Sequence, residues 1–172
     1  AQMMSIVDAT SVFRSPVEGA LLAIVADHTV QGRVVFPGAG YLEMASVAAA
    51  MALRDATFLR PLAIEAPGLL VECLLAGGRF EVRSSADGAF EEAMRHCSGG
   101  LGIPTGFTQR TNEGSYSEAC LPAGITAFYD GFDASGVQYG PGYRTLAQAL
   151  GGDTDAVSRL QGRLIHDGTL VH

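Results

Sequence analysis

The chain lacks the marks of membrane, secreted and nucleic-acid-binding proteins. No apolar run approaches the length of a membrane span, and Ala1 to Arg14 lacks the basic start and long apolar core of a signal peptide. Its 11 Lys and Arg residues against 18 Asp and Glu residues give a net charge of −7. This acidic balance disfavours binding to nucleic acid or to an anionic membrane surface. We therefore expect a cytoplasmic protein with neither kind of partner.

Cysteine is equally scarce. The three cysteines, Cys73, Cys97 and Cys120, are odd in number and show no CxxC spacing. Disulfides and a cysteine metal site are therefore not expected, and a reducing compartment fits the composition. The sequence also has no metal-ligand cluster, no Gly-rich phosphate loop and no nucleophile elbow. We accordingly predict no metal and no resident cofactor.

Apolar residues, by contrast, are abundant. Hydrophobic residues make up 48% of the 172-residue chain and charged residues 17%, which is enough for a sizeable core. The length fits one domain or a piece of a larger protein. Because the chain does not begin with Met, we expect it to have been excised from a longer polypeptide.

A helix is predicted from Gly38 to Arg54, after a short apolar run at Ala20 to Val25. Pro37 precedes its first turn, where a missing N–H is harmless. Apolar side chains recur in it at helical spacing, namely Tyr41, Met44, Ala45, Ala48, Met51 and Ala52. Since they cover more than one stripe, we predict that Gly38 to Ala52 is buried, with a sheet crossing one side.

The segments after this helix have the composition of strands. The Ala76-Gly77-Gly78 turn indicates a hairpin between two of them. The predicted strands are Phe58 to Glu65, Leu69 to Leu75, Arg79 to Ser84 and Glu91 to Leu101. One helix wrapped by a curved antiparallel sheet satisfies this order, which predicts an α+β fold.

The later part of the chain begins with a predicted linker, Gly99 to Pro122, which is rich in Gly, Ser, Thr and Pro. A short helix is predicted at Ile125 to Phe132 and a turn-rich loop at Gly136 to Tyr143. Two strands, Thr145 to Leu150 and Ala156 to Ile165, are predicted to follow. This second part therefore starts like the first but stops before any long helix.

The main candidate for chemistry is His28. A loop containing Gly32 and Pro37 follows it and runs into the N-terminus of the predicted helix. Imidazole is suited to removing a proton near neutral pH, and unpaired N–H groups at Gly38 and the helix start favour negative charge. This combination could take a proton from the carbon next to a thioester, whose oxygen gains charge as the proton leaves.

Two spaced motifs resemble those of dehydratase domains from modular polyketide synthases and animal-type fatty acid synthases. His28-x3-Gly32-x4-Pro37 matches the first motif of that family. The segment GVQYGPGY, Gly136 to Tyr143, is similar to the second motif, GYxYGPxF, with Val137 in place of the first tyrosine. The similarity covers nearly the whole chain in the family's order, and His96-Cys97-Ser98-Gly99 resembles the close of the family's first half.

The resemblance implies a double hotdog fold, in which each of two tandem halves is a long helix wrapped by antiparallel sheet. It places an N-terminal hotdog half at residues 1–101, a linker at 102–122 and the start of an incomplete C-terminal half at 123–172. The family's catalytic aspartate lies in a DxxxQ or DxxxH motif shortly after a His-Pro pair. We align His172 with that histidine, so we expect the aspartate beyond the last residue and this chain alone to be nearly inactive. Asp167 is a candidate by position only.

The implied activity is removal of water from a 3-hydroxyacyl thioester on an acyl carrier protein, which gives a trans-2-enoyl thioester. The substrate would arrive on a phosphopantetheine arm, with neighbouring synthase domains as further partners, and a homodimer is an assembly open to the chain. His28 would take the C2 proton and the Gly38 N–H would polarise the carbonyl. The substrate-binding residues implied by the motifs are Gly32, Pro37, Tyr139, Gly140 and Pro141.

Two other functions remain open from the sequence. A product-template cyclase or a double-bond isomerase of the same fold would also use a histidine and an acid, and pocket shape would separate them. A truncated, non-catalytic hotdog module that binds or spaces its neighbours is the second alternative.

Several other polar residues are assigned structural or secondary roles. Asp27 is not expected to orient His28, because adjacent side chains on an extended segment point in opposite directions. Tyr41 is expected to pack, and His96 to have a surface or pairing role. Arg33 and Arg144 could contact the phosphate of the carrier's arm.

Overall fold

The computed structural model describes residues 2–7, 10–103, 121–152, 156–161, 163–164 and 170–171. The chain divides into two compact units, the first formed by residues 1–26 and 33–108 and the second by residues 27–32 and 109–172. The segment Asp27–Gly32, which contains His28, is therefore part of the second unit.

The elements follow the chain in this order. The strands are β1 (Gln2–Val7), β2 (Thr10–Pro16), β3 (His28–Val30), β4 (Arg33–Val34), β5 (Ala52–Phe58), β6 (Leu70–Ala76), β7 (Arg79–Ser85), β8 (Met94–Gly102), β9 (Leu121–Pro122), β10 (Val137–Tyr139), β11 (Leu146–Gly151), β12 (Ala156–Leu160), β13 (Arg163–Leu164) and β14 (Leu170–Val171). The helices are α1 (Gly19–Val25), α2 (Gly38–Ala49) and α3 (Ile125–Ala134), and a 3-10 turn spans Pro141–Tyr143.

The first unit is built on a six-stranded antiparallel sheet with the order β1-β2-β6-β7-β8-β5. Alternate side chains of its central strands point to one face, as the period of a strand requires. The buried ones pack with Tyr41 and Ala45 of α2, and they include Val71, Cys73, Leu75, Phe80, Val82 and Cys97. The predicted arrangement of one helix against an antiparallel sheet is confirmed for this unit.

The predicted hairpin is also confirmed. β6 and β7 pair antiparallel with Ala76 opposite Arg79, so Gly77 and Gly78 form a two-residue turn. Their φ angles are +54° and +71°, a combination that L side chains rarely adopt. This explains why two glycines stand together at this point of the sequence.

Helix α2 is shorter than predicted. It ends at Ala49, and Ala50 adopts a left-handed conformation with φ +50°, which ends the helix. The residues from Ala52 onward form β5, whose Ala52, Leu53 and Arg54 pair with β8. The prediction of a helix reaching Arg54 is wrong because pairing at the sheet edge outweighs the helical propensity of an Ala-rich segment.

The prediction that this helix is buried, with a sheet crossing one side, holds for the sheet side only. The sheet covers one side, where Tyr41 and Ala45 are buried, but the opposite stripe, Ala39, Glu43 and Val47, is exposed. Val47 retains 71% of its accessible surface. More than half of a folded protein's accessible surface comes from apolar atoms, so an apolar composition does not by itself require burial on every side.

Two further predictions fail in the first unit. The strand predicted from Phe58 to Glu65 is absent, since β5 ends at Phe58 and the following residues are irregular except for a bridge between Val35 and Ala63. Their backbone groups pair with loops instead, as in Phe36 N–H to the Leu62 carbonyl at 2.8 Å. Gly99 to Gly102, predicted to begin the linker, are the end of β8. Residues 104–120 of that predicted linker lie outside the described residues.

The second unit confirms the predicted short helix and strand pair. α3 spans the predicted segment, and the Tyr129 hydroxyl accepts the Leu146 N–H at 3.1 Å, which joins α3 to β11. β11 pairs antiparallel with β12 and with β9. The strand predicted to reach Ile165 is divided, because β12 ends at Leu160 and β13 pairs with β14. Ile165 itself lies outside the described residues.

Candidate active site

His28 is held by strand pairing with the second sequence motif. β3 and β10 are antiparallel, with His28 directly opposite Tyr139 and Val30 opposite Val137. Directly opposed residues on paired strands have neighbouring side chains. The fold therefore brings together two motifs that are far apart in the sequence.

Two tyrosine rings lie beside the imidazole. The ring centre of His28 lies 5.6 Å from that of Tyr139 and 5.3 Å from that of Tyr143. The two tyrosine rings are nearly parallel to each other, at 12° and 6.0 Å. Phe132 of α3 packs edge-on against Tyr139 at 5.4 Å. His28, Tyr139 and Tyr143 are all half-buried, so the imidazole is packed in place and still reached by solvent.

A tight turn after β3 explains the glycine of the first motif. Gly32 has φ +76°, and its N–H donates to the Oε1 atom of Gln138 at 3.0 Å. The preceding N–H, of Gln31, donates to the Gly136 carbonyl at 2.7 Å. Gly32 thus shapes the His28 turn, and Gln138 is a contributing residue that the sequence analysis did not select.

The Gly-Pro-Gly segment forms the 3-10 turn beside His28. The Tyr143 N–H donates to the Gly140 carbonyl at 2.9 Å, which closes the turn through Pro141. The Gly140 N–H donates to the backbone carbonyl of Asp27 at 2.7 Å. The structure therefore places Tyr139, Gly140 and Pro141 next to the histidine strand, while their role in binding substrate stays a prediction.

Pro37 and Gly38 lie in the first unit, at the start of α2. Pro37 is buried, with φ −68°, and it is the residue that precedes the first helical turn. A Cβ atom on Gly38 would lie 3.1 Å from the Cε1 atom of Phe58, so the helix start packs closely under that ring. The first N–H groups of a helix have no partner within the helix, which gives this end a partial positive charge. The assignment of Gly38 to carbonyl polarisation remains a prediction.

The sequence predicted a surface or pairing role for His96, and the structure excludes the surface one. His96 is fully buried, with its Nε2 atom 2.7 Å from the Ser84 hydroxyl and its Nδ1 atom 3.1 Å from the Arg60 carbonyl. The register between β7 and β8 shifts here, from Val82 opposite Cys97 to Arg83 opposite Arg95, which leaves His96 as the extra residue of a bulge. A bulge changes the direction of a side chain, so a prediction from the regular alternation of strand faces is wrong there.

The remaining sequence candidates have partners within their own units. Arg33 pairs with Glu65 at 2.6 Å on the surface. The Arg144 Nε atom donates to the Tyr139 carbonyl at 2.8 Å, and its guanidinium lies 5.3 Å from the centre of the Tyr129 ring. Contact of either arginine with a phosphate stays a prediction. Tyr41 packs in the core as predicted, and burial raises the pKa of its hydroxyl.

The described residues include no group of three or more His, Cys, Asp or Glu side chains that could hold a metal ion. Cys73 and Cys97 are free and buried, and burial raises the pKa of Cys73 to about 12, so its thiol stays protonated at neutral pH. Among the helices of the described part, none is long and apolar enough to cross a membrane.

Solved structures share this fold. The dehydratase domain from the CurK module of the curacin polyketide synthase superposes with a TM-score of 0.75 at 20% identity, over 94% of this chain and 62% of that domain. The erythromycin dehydratase gives a TM-score of 0.75 at 21% identity, over 91% of this chain and 65% of that one. The chain is therefore a hotdog-fold protein of the kind found in synthase dehydratases.

Sequence comparison gives the family. Residues 1–85 match the family described as polyketide synthase dehydratase domain. Polyketide synthase ThaG of Burkholderia thailandensis is 31% identical over 165 residues, which cover 86% of this chain and 3% of ThaG. Polyketide synthase PksM of Bacillus subtilis is 28% identical over 156 residues, which cover 79% of this chain and 4% of PksM. The chain belongs to the dehydratase domains of polyketide synthases, and it spans 3% to 4% of the length of these two relatives.

Proposed function

We propose that this chain supplies the proton-abstracting part of a dehydratase site that acts on 3-hydroxyacyl thioesters. The observation that carries the proposal is the pairing of His28 with Tyr139, which sets the imidazole beside two stacked tyrosine rings in a half-buried position. A general base must be both held and accessible, and this environment meets both needs.

The reaction begins with transfer of the C2 proton to the His28 imidazole. Negative charge then develops on the thioester oxygen, and preorganised N–H donors at that oxygen would stabilise it. A carboxylic acid protonates the departing C3 hydroxyl, so water leaves and a trans-2-enoyl thioester forms. The family resemblance implies an aspartate of a DxxxQ or DxxxH motif as this acid.

The substrate in this proposal is carried on the phosphopantetheine arm of an acyl carrier protein. The relatives are multidomain synthases, so neighbouring synthase domains are the natural source of that carrier. We further propose a cytoplasmic setting, a homodimer as the assembly, and a reaction that proceeds with no metal or redox cofactor.

Deuterium exchange tests the base directly, since it reports removal of the C2 proton without requiring the acid. The chain is incubated in D2O with a 3-hydroxyacyl pantetheine thioester, and mass spectrometry follows both deuterium at C2 and loss of water. We expect exchange by the wild-type chain and a loss of about 100-fold or more in His28→Ala, because the proton acceptor is gone.

The control variant is Asp130→Ala, which removes an exposed carboxylate from α3 and should exchange at the wild-type rate. Exchange at that rate by a folded His28→Ala variant would contradict the proposal. Movement of a double bond without loss of water would favour the isomerase alternative instead.

A further inference from the structure

Asp27 makes two separate contacts with the Gly-Pro-Gly turn. Its backbone carbonyl accepts the Gly140 N–H at 2.7 Å. Its side-chain Oδ2 atom accepts the Gly142 N–H at 2.7 Å. The carboxylate is half-buried, and a charged acceptor makes a stronger hydrogen bond to an amide than a neutral one does.

The space between Asp27 and Gly140 admits no side chain. A Cβ atom on Gly140 would lie 2.5 Å from Oδ1, 2.6 Å from Cγ and 2.8 Å from Cβ of Asp27. Such distances are far below van der Waals contact, so the backbone of the turn rests directly against the carboxylate. Glycine at this position is therefore explained by the approach of Asp27.

The turn held in this way carries one wall of the histidine site. Tyr143 is its last residue, and its ring centre lies 5.3 Å from that of His28. Tyr139, on which the Tyr143 ring stacks, is already fixed by pairing with His28 in the sheet. The placement of Tyr143 thus depends on the contacts at Gly140 and Gly142.

We propose that Asp27 is a positioning residue, whose carboxylate locks the Gly140–Tyr143 turn and thereby holds Tyr143 against the catalytic base. This inference rests on the proposed function of His28. Asp27 acts through the turn and takes no part in proton transfer. A misplacement of the order of 1 Å around a reacting group can reduce its rate by about 100-fold, so such a residue matters without touching substrate.

Substitution of Asp27 gives a graded test. In Asp27→Ala the Gly142 N–H loses its acceptor, and we expect the kcat for C2 deuterium exchange to fall by about 10- to 100-fold with little change in KM. In Asp27→Asn the amide oxygen can still accept, so most of the rate should return. Asp130→Ala again serves as the control with an unchanged rate.

Nuclear magnetic resonance supplies a readout independent of activity. The ring currents of Tyr139 and Tyr143 shift the imidazole proton signals of His28, and the Gly142 amide signal reports its hydrogen bond. Both should move toward unstructured values in Asp27→Ala and stay near the wild-type values in Asp27→Asn. The Gly142 signal confirms that the hydrogen bond is lost, and the His28 signals decide the role, because a residue that only stabilises the fold would leave them unchanged in the folded fraction.

Gly140→Ala changes the other partner of the contact between Asp27 and the turn. Alone it should impair exchange, because its methyl group collides with the carboxylate. Combined with Asp27→Ala, which removes the two nearest atoms, it should cost less than the product of the single effects. Such non-additivity is the signature of residues in direct contact.

Failure of the two proposals can be told apart. If His28→Ala exchanges at the wild-type rate, the proposed function fails; if His28→Ala is inactive but folded Asp27→Ala keeps its kcat and its His28 signals, only the positioning role is overturned. If Asp27→Ala does not fold, Asp27→Glu replaces it, since a longer carboxylate must displace the turn. A reduced kcat in Asp27→Glu would support the proposal, and a normal one would overturn it.

Discussion

The side chains that pack beside His28 come from a distant part of the sequence. Tyr139 and Tyr143 come from the GVQYGPGY segment and lie 5.6 Å and 5.3 Å from the imidazole. Both motifs are visible in the sequence, but the contact between them depends on strand pairing that no local pattern encodes. Asp27 shows the same limit: the adjacency argument considered only its relation to His28, whereas its carboxylate accepts the N–H of Gly142.

His96 leads to a prediction about pH and stability. Burial lowers the pKa of its imidazole, so the folded chain favours the neutral ring, and the nearby Arg60 charge acts in the same direction. Below about pH 6.5 the unfolded chain binds a proton on this residue more readily than the folded chain does. We therefore expect the free energy of unfolding to fall as the pH drops below that value.

The comparison variant is His96→Gln, which cannot gain the proton but can still bond to the Ser84 hydroxyl. Urea unfolding of both proteins across acidic and neutral pH measures the effect, and the variant should show the smaller decline on acidification. Parallel curves for the two proteins would show that His96 does not contribute to the pH dependence.

At the scale of elements, the sequence is most informative where a turn or a cap has special chemistry. The Gly77-Gly78 turn fixes the β6–β7 hairpin, and α3 follows its apolar pattern closely. The end of α2 is not visible in the sequence, because an alanine, Ala50, adopts the left-handed conformation usually left to glycine. The bulge at His96 was equally hidden, since it depends on the register of two strands.

The exposed and buried sides of α2 give a matched pair of substitutions. Met44 is partly buried and packs against the core, while Val47 lies three residues later and is 71% exposed. Met44→Asp places a carboxylate against apolar side chains, and we expect it to lower the free energy of unfolding by about 1–3 kcal/mol. Val47→Asp should change it by no more than about 0.5 kcal/mol.

Thermal and urea unfolding of the two variants measure this difference. Equal destabilisation by both substitutions would mean that the helix is covered on both sides. That result would contradict the arrangement in which the six-stranded sheet packs on one side of α2 alone.

At the scale of the whole molecule, the chain forms two compact units, and one short segment from the N-terminal part of the sequence belongs to the second unit. Asp27–Gly32 leaves the first unit, pairs with β10 and belongs to the second. The motif beginning at His28 is therefore divided, with His28 and Gly32 in one unit and Pro37 and Gly38 in the other. The motif is visible in the sequence and indicates the family. The division of the motif between two units could not be predicted, because it arises from long-range strand pairing.

The central claim is that the His28 imidazole removes a proton from the C2 carbon of a thioester. A crystal structure of the chain with an unreactive 3-hydroxyacyl pantetheine thioester analogue tests it most directly. The account predicts C2 within about 3.5 Å of an imidazole nitrogen of His28, the distance from which a proton can be transferred. An analogue bound with C2 remote from His28, or bound equally well at another surface with the tyrosine-lined site empty, would contradict it.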